Sequence, residues 1–161
     1  MESFANKMDQ KVLKVLEYNK ILDKLADLTT SVLSREKALE LLPVKNIERV
    51  STLLRETSEA VSMMVRKGTP PLYGLSDIRS ALKRAEIGAL LSPKELLDIA
   101  HALKISRNMK KYASEDRREQ VYPILDGMID GLQTYKKVED AINSCILSEE
   151  EIYDHASPEL N

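Results

Sequence analysis

The sequence predicts an all-α fold, and two features carry that prediction. Apolar residues recur at three- and four-residue steps along most of the 161 residues, which is the spacing of one helix face. Leu, Ala, Glu and Lys dominate, whereas only 4% of the residues are aromatic and five glycines leave few turns. With 43% hydrophobic and 31% charged residues the chain has globular composition, so we expect a multi-helix bundle.

The first two helices follow from this spacing and from the residues that interrupt it. A first helix is expected from Lys11 to about Leu28. Thr30 or Ser31 can then accept a hydrogen bond from the free N–H groups of a second helix. Pro43 is predicted to end that second helix.

A third, longer helix is expected between Asn46 and Gly68. Asn46 can cap its start, and glycine takes the left-handed conformation that a helix C-terminus often needs. Its apolar seam is expected to face the core and comprises Ile47, Val50, Leu53, Leu54, Thr57, Val61, Met64 and Val65.

The segment 68–97 is the most closely specified part of the chain. Ser76 or Asp77 can cap a short helix that Gly88 ends, and Ser92 with Glu95 forms a capping box for the next helix. The predicted stripe of the short helix is Ile78, Leu82 and Ala85, with Ala81 beside it. The predicted seam of the next helix is Leu96, Leu97, Ala100, Leu103 and Met109, bordered by Ile99 and Tyr112.

The last third of the chain has weaker signals. Ser114 followed by two acids indicates another helix start, and Pro123 either kinks this segment or begins a separate helix. Tyr135 to Cys145 keeps helical spacing. The period then changes, and 146–156 is predicted to be a turn or short hairpin.

Bulk properties limit the partners that the chain can have. Its net charge of −2 argues against a free-standing nucleic-acid module, which is usually basic. A single Cys suits a reducing compartment, and no apolar run approaches the ~20 residues of a membrane span. We therefore expect a cytoplasmic protein with no membrane partner.

No familiar catalytic or cofactor motif is present, so we predict no catalytic, cofactor-binding or metal-binding residue. There is no phosphate-cradling glycine loop, no HExxH and no CxxC. Cys145 is expected to be a small core residue and His101 to face solvent. His155 stands beside several acids, for which a solvated acidic turn is the ordinary interpretation and a metal site the sharper one.

One basic cluster is a candidate for nucleic-acid contact. Lys104, Arg107, Lys110 and Lys111 follow one another at helical steps and could contact phosphates. The competing interpretation is a solvated polar face, which the negative net charge and the absence of interleaved aromatics favour.

The last residues of the chain look like the start of a helix. Ser157 can be an N-cap, Pro158 fits the first helical position and Glu159 suits the first turn. We therefore expect the chain to be a fragment of a longer protein.

Three runs resemble the N-terminal region of the bacterial MutS paralogue usually called MutS-two. The first, Val15 to Leu22, is similar to that family's opening Leu-Glu-aromatic-x-Lys-Ile pattern. The second, from Gly68 to Leu97, contains Gly-x-Pro-Pro-Leu-x-Gly-Leu-x-Asp-Ile-Arg, the family's most distinctive early segment. The third, Asp154 to Leu160, resembles the segment leading into its long clamp helices.

The resemblance implies a role that is mechanical and not catalytic. The family's parent protein is a dimeric clamp that binds DNA, needs ATP and Mg²⁺, carries a nuclease domain, restrains homologous recombination and is linked to splitting collided ribosomes. This chain then supplies a flexible lead-in (1–10), a helical core or lever domain (11–156) and the start of a clamp helix (157–161). The resemblance implies no catalytic residue within this chain.

Two other functions remain as alternatives from the residues alone. The chain could be a self-contained helical adaptor that binds a partner protein through a groove beside Tyr73. It could also be an enzyme that uses the acids near His155.

Overall fold

The computed structural model describes residues 10–115, 121–149, 151 and 153, and within these ranges it contains α-helices and no strand. The all-α prediction is therefore confirmed. In chain order the helices are α1 (Gln10–Val15), α2 (Tyr18–Asp27), α3 (Val32–Leu39), α4 (Ile47–Lys67), α5 (Arg79–Glu86), α6 (Pro93–Ser114), α7 (Pro123–Asp130) and α8 (Lys136–Cys145). The chain divides into two compact units, Met1–Val65 and Arg66–Asn161.

In the first unit α2 packs against α1 and α3. The prediction of one continuous helix from Lys11 to Leu28 is wrong, because the helix is interrupted between α1 and α2. Glu17, at the break, has a φ of 51° and lies in the left-handed region, which nothing in its residue type announces. Its carboxylate accepts a hydrogen bond from the ammonium of Lys20 at 2.6 Å.

The predicted helix starts of this unit are confirmed. Ser31 Oγ accepts the backbone N–H of Ser34 at 3.1 Å, and Asn46 Oδ1 accepts that of Arg49 at 2.8 Å. The predicted end of α3 is wrong, because the helix stops at Leu39, before the chain reaches Pro43.

The predicted seam of α4 is largely exposed. Ile47, Leu54, Val61 and Val65 are 75%, 63%, 55% and 83% exposed, and Met64 is 48% exposed. The buried apolar side chains described in the first unit are Leu13, Ala26, Ala38 and Met63. The interpretation of Met64 as a core residue is therefore wrong.

The second unit is built around α6, which packs against α7 and α8. Its buried apolar residues among those described are Ala81, Ile99, Ala100, Ile105, Met109, Tyr112, Ala113, Tyr122, Ile129 and Ile146. Ile99 and Tyr112 therefore belong to the core and not to its border, and the predicted seam missed Ile105 and Ala113.

The short helix α5 turns a different face inward from the one predicted. Ala81 is buried, whereas Leu82 is 44% exposed and Ala85 is exposed. Asp77 Oδ1 accepts the N–H of Arg79 at 3.0 Å, as expected of a residue at a helix start. Gly88, with a φ of 72°, follows the end of the helix as predicted.

The remaining boundaries correct the sequence reading in part. Ser114 is the last residue of α6, and Pro123 begins the separate helix α7. Residues 116–120, where the helix predicted after Ser114 would lie, are outside the described residues. After α8 the chain turns: the N–H of Leu147 donates to the carbonyl of Glu151 at 3.0 Å, and the N–H of Tyr153 to that of Cys145 at 2.9 Å. Residues 1–9 and 154–161, with the predicted lead-in, clamp-helix start and His155, lie outside the described residues.

Candidate functional site on α6

Helix α6 carries the four candidate cations, and its start is fixed by local chemistry. Ser92 Oγ accepts the N–H of Glu95 at 3.3 Å, while the Glu95 carboxylate accepts the N–H of Ser92 at 2.9 Å. Pro93 occupies the first turn, where its missing N–H costs nothing. The bond from the backbone N–H of Ser92, more than any other contact, lowers the pKa of Glu95. The predicted capping box is confirmed.

The end of α6 is held by Lys67, the last residue of α4. Lys67 Nζ donates to the carbonyls of Tyr112 and Ala113, each at 3.0 Å, and to that of Glu115. The same ammonium lies 5.7 Å from the centre of the Tyr112 ring. Tyr112 in turn donates its hydroxyl to the carbonyl of Gly68 at 2.7 Å, and burial raises its pKa. We call these contacts the Lys67 clasp.

The structure separates the four candidate cations into two kinds. Arg107 and Lys110 are engaged: Arg107 binds Glu139, and Lys110 Nζ donates to the carbonyl of Asp130 at 3.2 Å. Lys104 and Lys111 are exposed, and their side-chain ammonium groups make no hydrogen bond or ion pair with any described residue. The charge available for a phosphate is therefore smaller than the sequence stripe suggests.

The pair of Arg107 and Glu139 joins α6 to α8. Arg107 Nη2 lies 2.8 Å from Glu139 Oε1, and Nε lies 3.1 Å from Oε2, which is bidentate geometry. The Glu139 side chain is only 5% exposed, and hydrogen bonds from Arg107 lower its pKa despite that burial. The same bonds raise the pKa of Arg107. Glu139 thus stays ionised at neutral pH and anchors the contact between the helices.

Sequence reasoning missed Glu139 because a charged residue was not considered for the core. A signal was present: Glu139 precedes Ile142 by three positions, so the two residues share one face of α8. Arg107, on the candidate basic stripe, was the available partner. Neither residue alone identifies the pair.

A groove of about 570 Å³ lies beside this pair. Its lining residues are Tyr73, Gly74, Leu97, Asp98, Ala100, His101, Lys104, Glu139 and Asn143. Its volume is within the range of small-molecule and peptide sites, and its lining mixes apolar, acidic and basic groups. The groove beside Tyr73 expected for the adaptor alternative therefore exists.

The segment that forms one lip of the groove is firmly held. His101 Nε2 lies 3.2 Å from the carbonyl oxygen of Tyr73, and Ser76 donates its hydroxyl to Asp98 at 2.9 Å. Gly74 has a φ of 75°, and a Cβ there would come within 3.1 Å of His101 Nε2. These contacts leave the Tyr73 side chain 88% exposed above the groove. His101 faces solvent, as predicted, while also binding this loop.

The described residues show no grouped metal ligands. Among them no three His, Cys, Asp or Glu side chains converge in a way that could hold a metal ion. Cys145 is a half-buried thiol on α8 that forms no disulfide. In the part of the chain that the structure covers, no helix is both long and apolar enough to cross a bilayer.

Comparison with known proteins identifies close relatives. The chain is 49% identical over 154 residues to the Endonuclease MutS2 of Acetivibrio thermocellus, 44% over 153 residues to that of Alkaliphilus oremlandii and 38% over 153 residues to that of Clostridium beijerinckii. Each alignment covers 95% of this chain. No family model matches it.

These relatives are much longer than the chain, which spans 19–20% of their length. The resemblance inferred from the three sequence runs is confirmed by alignments at 38–49% identity that cover 95% of the chain. The chain therefore belongs to the MutS2 family and represents a segment about one fifth as long as its relatives.

Proposed function

We propose that this chain is a non-catalytic structural core segment of a MutS-type DNA-binding ATPase and endonuclease that suppresses homologous recombination. In the parent protein it links the DNA clamp to the ATPase. The observation that carries the proposal is the similarity to proteins named Endonuclease MutS2 along 95% of this chain.

The rigidity of α6 supports a linking role. Its 22 residues form a rod of about 33 Å at 1.5 Å per residue. The capping box holds its start, the pair of Arg107 and Glu139 holds its middle, and the Lys67 clasp holds its end. A helix fixed at three points moves as one body, as a mechanical coupling element must.

The other properties of the parent follow from the same proposal. It is a cytoplasmic homodimer that uses ATP and Mg²⁺, binds DNA through its clamp and acts on stalled ribosomes. This segment adds at most weak phosphate contacts, through Lys104 and Lys111, because Arg107 and Lys110 are already engaged.

The first test uses the 161-residue chain alone. We expect no nuclease activity, no ATP hydrolysis and only weak DNA binding that disappears with added salt. Replacing Lys104 and Lys111 with Gln should remove what binding there is. DNA binding with a submicromolar Kd at physiological salt would contradict the proposal.

The second test examines the linking role in the full-length parent protein. Tyr112→Phe removes the hydroxyl that binds Gly68, whereas Tyr135→Phe makes the same chemical change at an exposed position. We expect Tyr112→Phe to weaken the response of ATP hydrolysis to DNA and to leave hydrolysis without DNA unchanged. An equal loss in both assays, or an equal effect of Tyr135→Phe, would count against a coupling role.

A second function is favoured by one observation, the 88% exposure of Tyr73 above the 570 Å³ groove. Tyrosine is common among the residues that dominate protein–protein binding, and a firmly held loop loses little entropy on binding. The chain would then be a helical protein–protein adaptor. If so, Tyr73→Ala should abolish binding of a purified partner protein while leaving the helical circular dichroism signal unchanged.

A further inference from the structure

Helix α4 is bare on its apolar side. Ile47, Leu54 and Val61 are spaced seven residues apart, and a second row of Val50, Thr57 and Met64 lies three residues further on. We call these six residues, together with Val65, the outer stripe. Ile47, Leu54, Val61 and Val65 are each more than half exposed.

The charged residues of α4 all lie away from the outer stripe. At 100° per residue they fall within about one third of the helix circumference, which leaves about two thirds of it without any charge. They are Glu48, Arg49, Arg55, Glu56, Glu59, Arg66 and Lys67. Met63 projects from this charged side, yet it is only 3% exposed. Packing therefore covers part of the charged side of the helix and leaves the apolar side exposed to solvent.

The spacing of the outer stripe indicates that it packs against another helix. An apolar repeat of seven residues with a second row offset by three is the pattern of knobs-into-holes packing between helices. The positions flanking the rows are Ser51, Ser58, Leu53 and Ala60, which are uncharged. Ser51, Ser58 and Ala60 are also small, so they allow another helix to approach closely, and the uncharged flanks impose no pattern of charge on it.

The length of the MutS2 relatives indicates where that helix lies in the polypeptide. The chain spans 19–20% of the length of its MutS2 relatives, so about four-fifths of such a polypeptide lies outside these residues. A helix on the same polypeptide has an effective concentration in the millimolar range, which a separate protein rarely reaches. An interface this apolar is also typical of permanent contacts and not of transient ones.

We infer that the outer stripe of α4 is the seat of an apolar helix from the part of the MutS2 chain outside residues 1–161. The two helices pack as a short coiled coil within one polypeptide. The outer stripe is thus an internal interface of the parent protein and not a docking site for nucleic acid or for a transient partner.

Three methionines allow a direct test. Met64 lies in the outer stripe at 48% exposure, Met63 beside it is 3% exposed, and Met128 on α7 is 54% exposed. Dilute hydrogen peroxide oxidises a methionine in proportion to its access to solvent. Mass spectrometry then compares the three residues in the 161-residue chain and in the full-length parent protein, each at low and high concentration.

We expect Met64 and Met128 to oxidise together in the 161-residue chain, with Met63 protected. In the full-length protein Met64 should slow by about tenfold or more, which corresponds to a local opening free energy of at least 1.4 kcal/mol. The slowing should not depend on protein concentration.

A charge placed in the outer stripe tests the same interface. In the full-length protein Val61→Glu should restore the oxidation of Met64, whereas Ser62→Glu, which adds the same charge one position away, should not. Ser62 is exposed and lies outside the outer stripe. Circular dichroism checks that both variants remain helical.

Three results would overturn the inference. Met64 could oxidise as fast in the full-length protein as in the 161-residue chain. Its protection could increase with concentration in the 161-residue chain, which would assign the outer stripe to a second copy. Met64 could also be protected in that chain at low concentration, which would mean that these 161 residues cover the stripe themselves.

Discussion

The two units use the same kind of amphipathic helix and reach different results. Among the described residues, Arg66–Asn161 buries ten apolar side chains, including Ile105, Met109 and Tyr112. Met1–Val65 buries four, of which Ala26 and Ala38 are small. An apolar stripe therefore shows that a helix needs a partner, but it does not show that the partner lies in the same stretch of chain.

The largest effect on the free energy of unfolding is expected in the core of the second unit. Ile105→Ala should lower the free energy of unfolding by about 3 kcal/mol, because Ile105 is 7% exposed and its loss leaves a cavity. Leu54→Ala in the first unit should change it by less than about 0.5 kcal/mol, because Leu54 is 63% exposed. Urea denaturation of the 161-residue chain measures both, and equal losses would contradict the difference in burial between the two units.

A smaller effect is expected where the second unit buries a charge. Glu139→Gln should cost about 1–3 kcal/mol at neutral pH, since it weakens a bidentate, charge-assisted contact with Arg107. Asp140→Asn is the matched control, because Asp140 is exposed and its partner Lys136 is also exposed. Urea midpoints of the three proteins provide the measurement.

The same variant should show a defined pH dependence. The pKa of Glu139 is lowered in the folded state, so its contribution is complete above the unfolded pKa of about 4.3 and is lost as pH falls through the folded value. The gap between the wild-type protein and Glu139→Gln should therefore shrink below about pH 4. A gap that widened with acid would show that Arg107 does not stabilise the carboxylate.

How well the sequence predicted each helix depended on how local its determinants are. The capping box of Ser92 and Glu95 was found because both of its bonds lie within four residues. The break at Glu17 was missed because no glycine, proline or cap residue marks it. The inward side of α8 was missed because Glu139 is buried through Arg107, which is 32 residues away.

The candidate site was predicted only as a set of residues. Helical spacing placed Lys104, Arg107, Lys110 and Lys111 close together, and the structure agrees on their placement. Which of the four remain available depends on Glu139 and on the carbonyl of Asp130, contacts that no spacing rule contains. Their predicted contact with nucleic acid remains a prediction.

A cap of the second unit should show an intermediate effect. Ser92→Ala removes the side-chain half of the capping box and should cost about 1 kcal/mol. Ser80→Ala in α5 is the control, because Ser80 is exposed and its hydroxyl makes no hydrogen bond with any described residue. Amide exchange should increase in the first turn of α6 and not in α4. Faster exchange along the whole chain would mean that the two units unfold together.

The smallest effect is expected in the first unit, and its sign is reversed. Glu17→Gly should stabilise the chain by about 0.5 kcal/mol, because glycine adopts a positive φ without the steric cost that other residues carry. The exposed contact with Lys20 that is lost is worth little. Thermal unfolding measures the change, with Glu36→Gly inside α3 as a destabilising control. A loss of stability at Glu17 would indicate that the left-handed turn is not maintained.

The Lys67 clasp has a consequence for proteolysis. Trypsin must bind the extended side chain of a lysine to cut after it, and the ammonium of Lys67 is already shared by three carbonyls at the end of α6. Cleavage between Lys67 and Gly68 therefore requires the clasp to open first, whereas cleavage after an exposed lysine such as Lys37 does not require it. The rate at which trypsin cuts after Lys67 thus measures how often the Lys67 clasp opens, and the measurement needs no labelled protein.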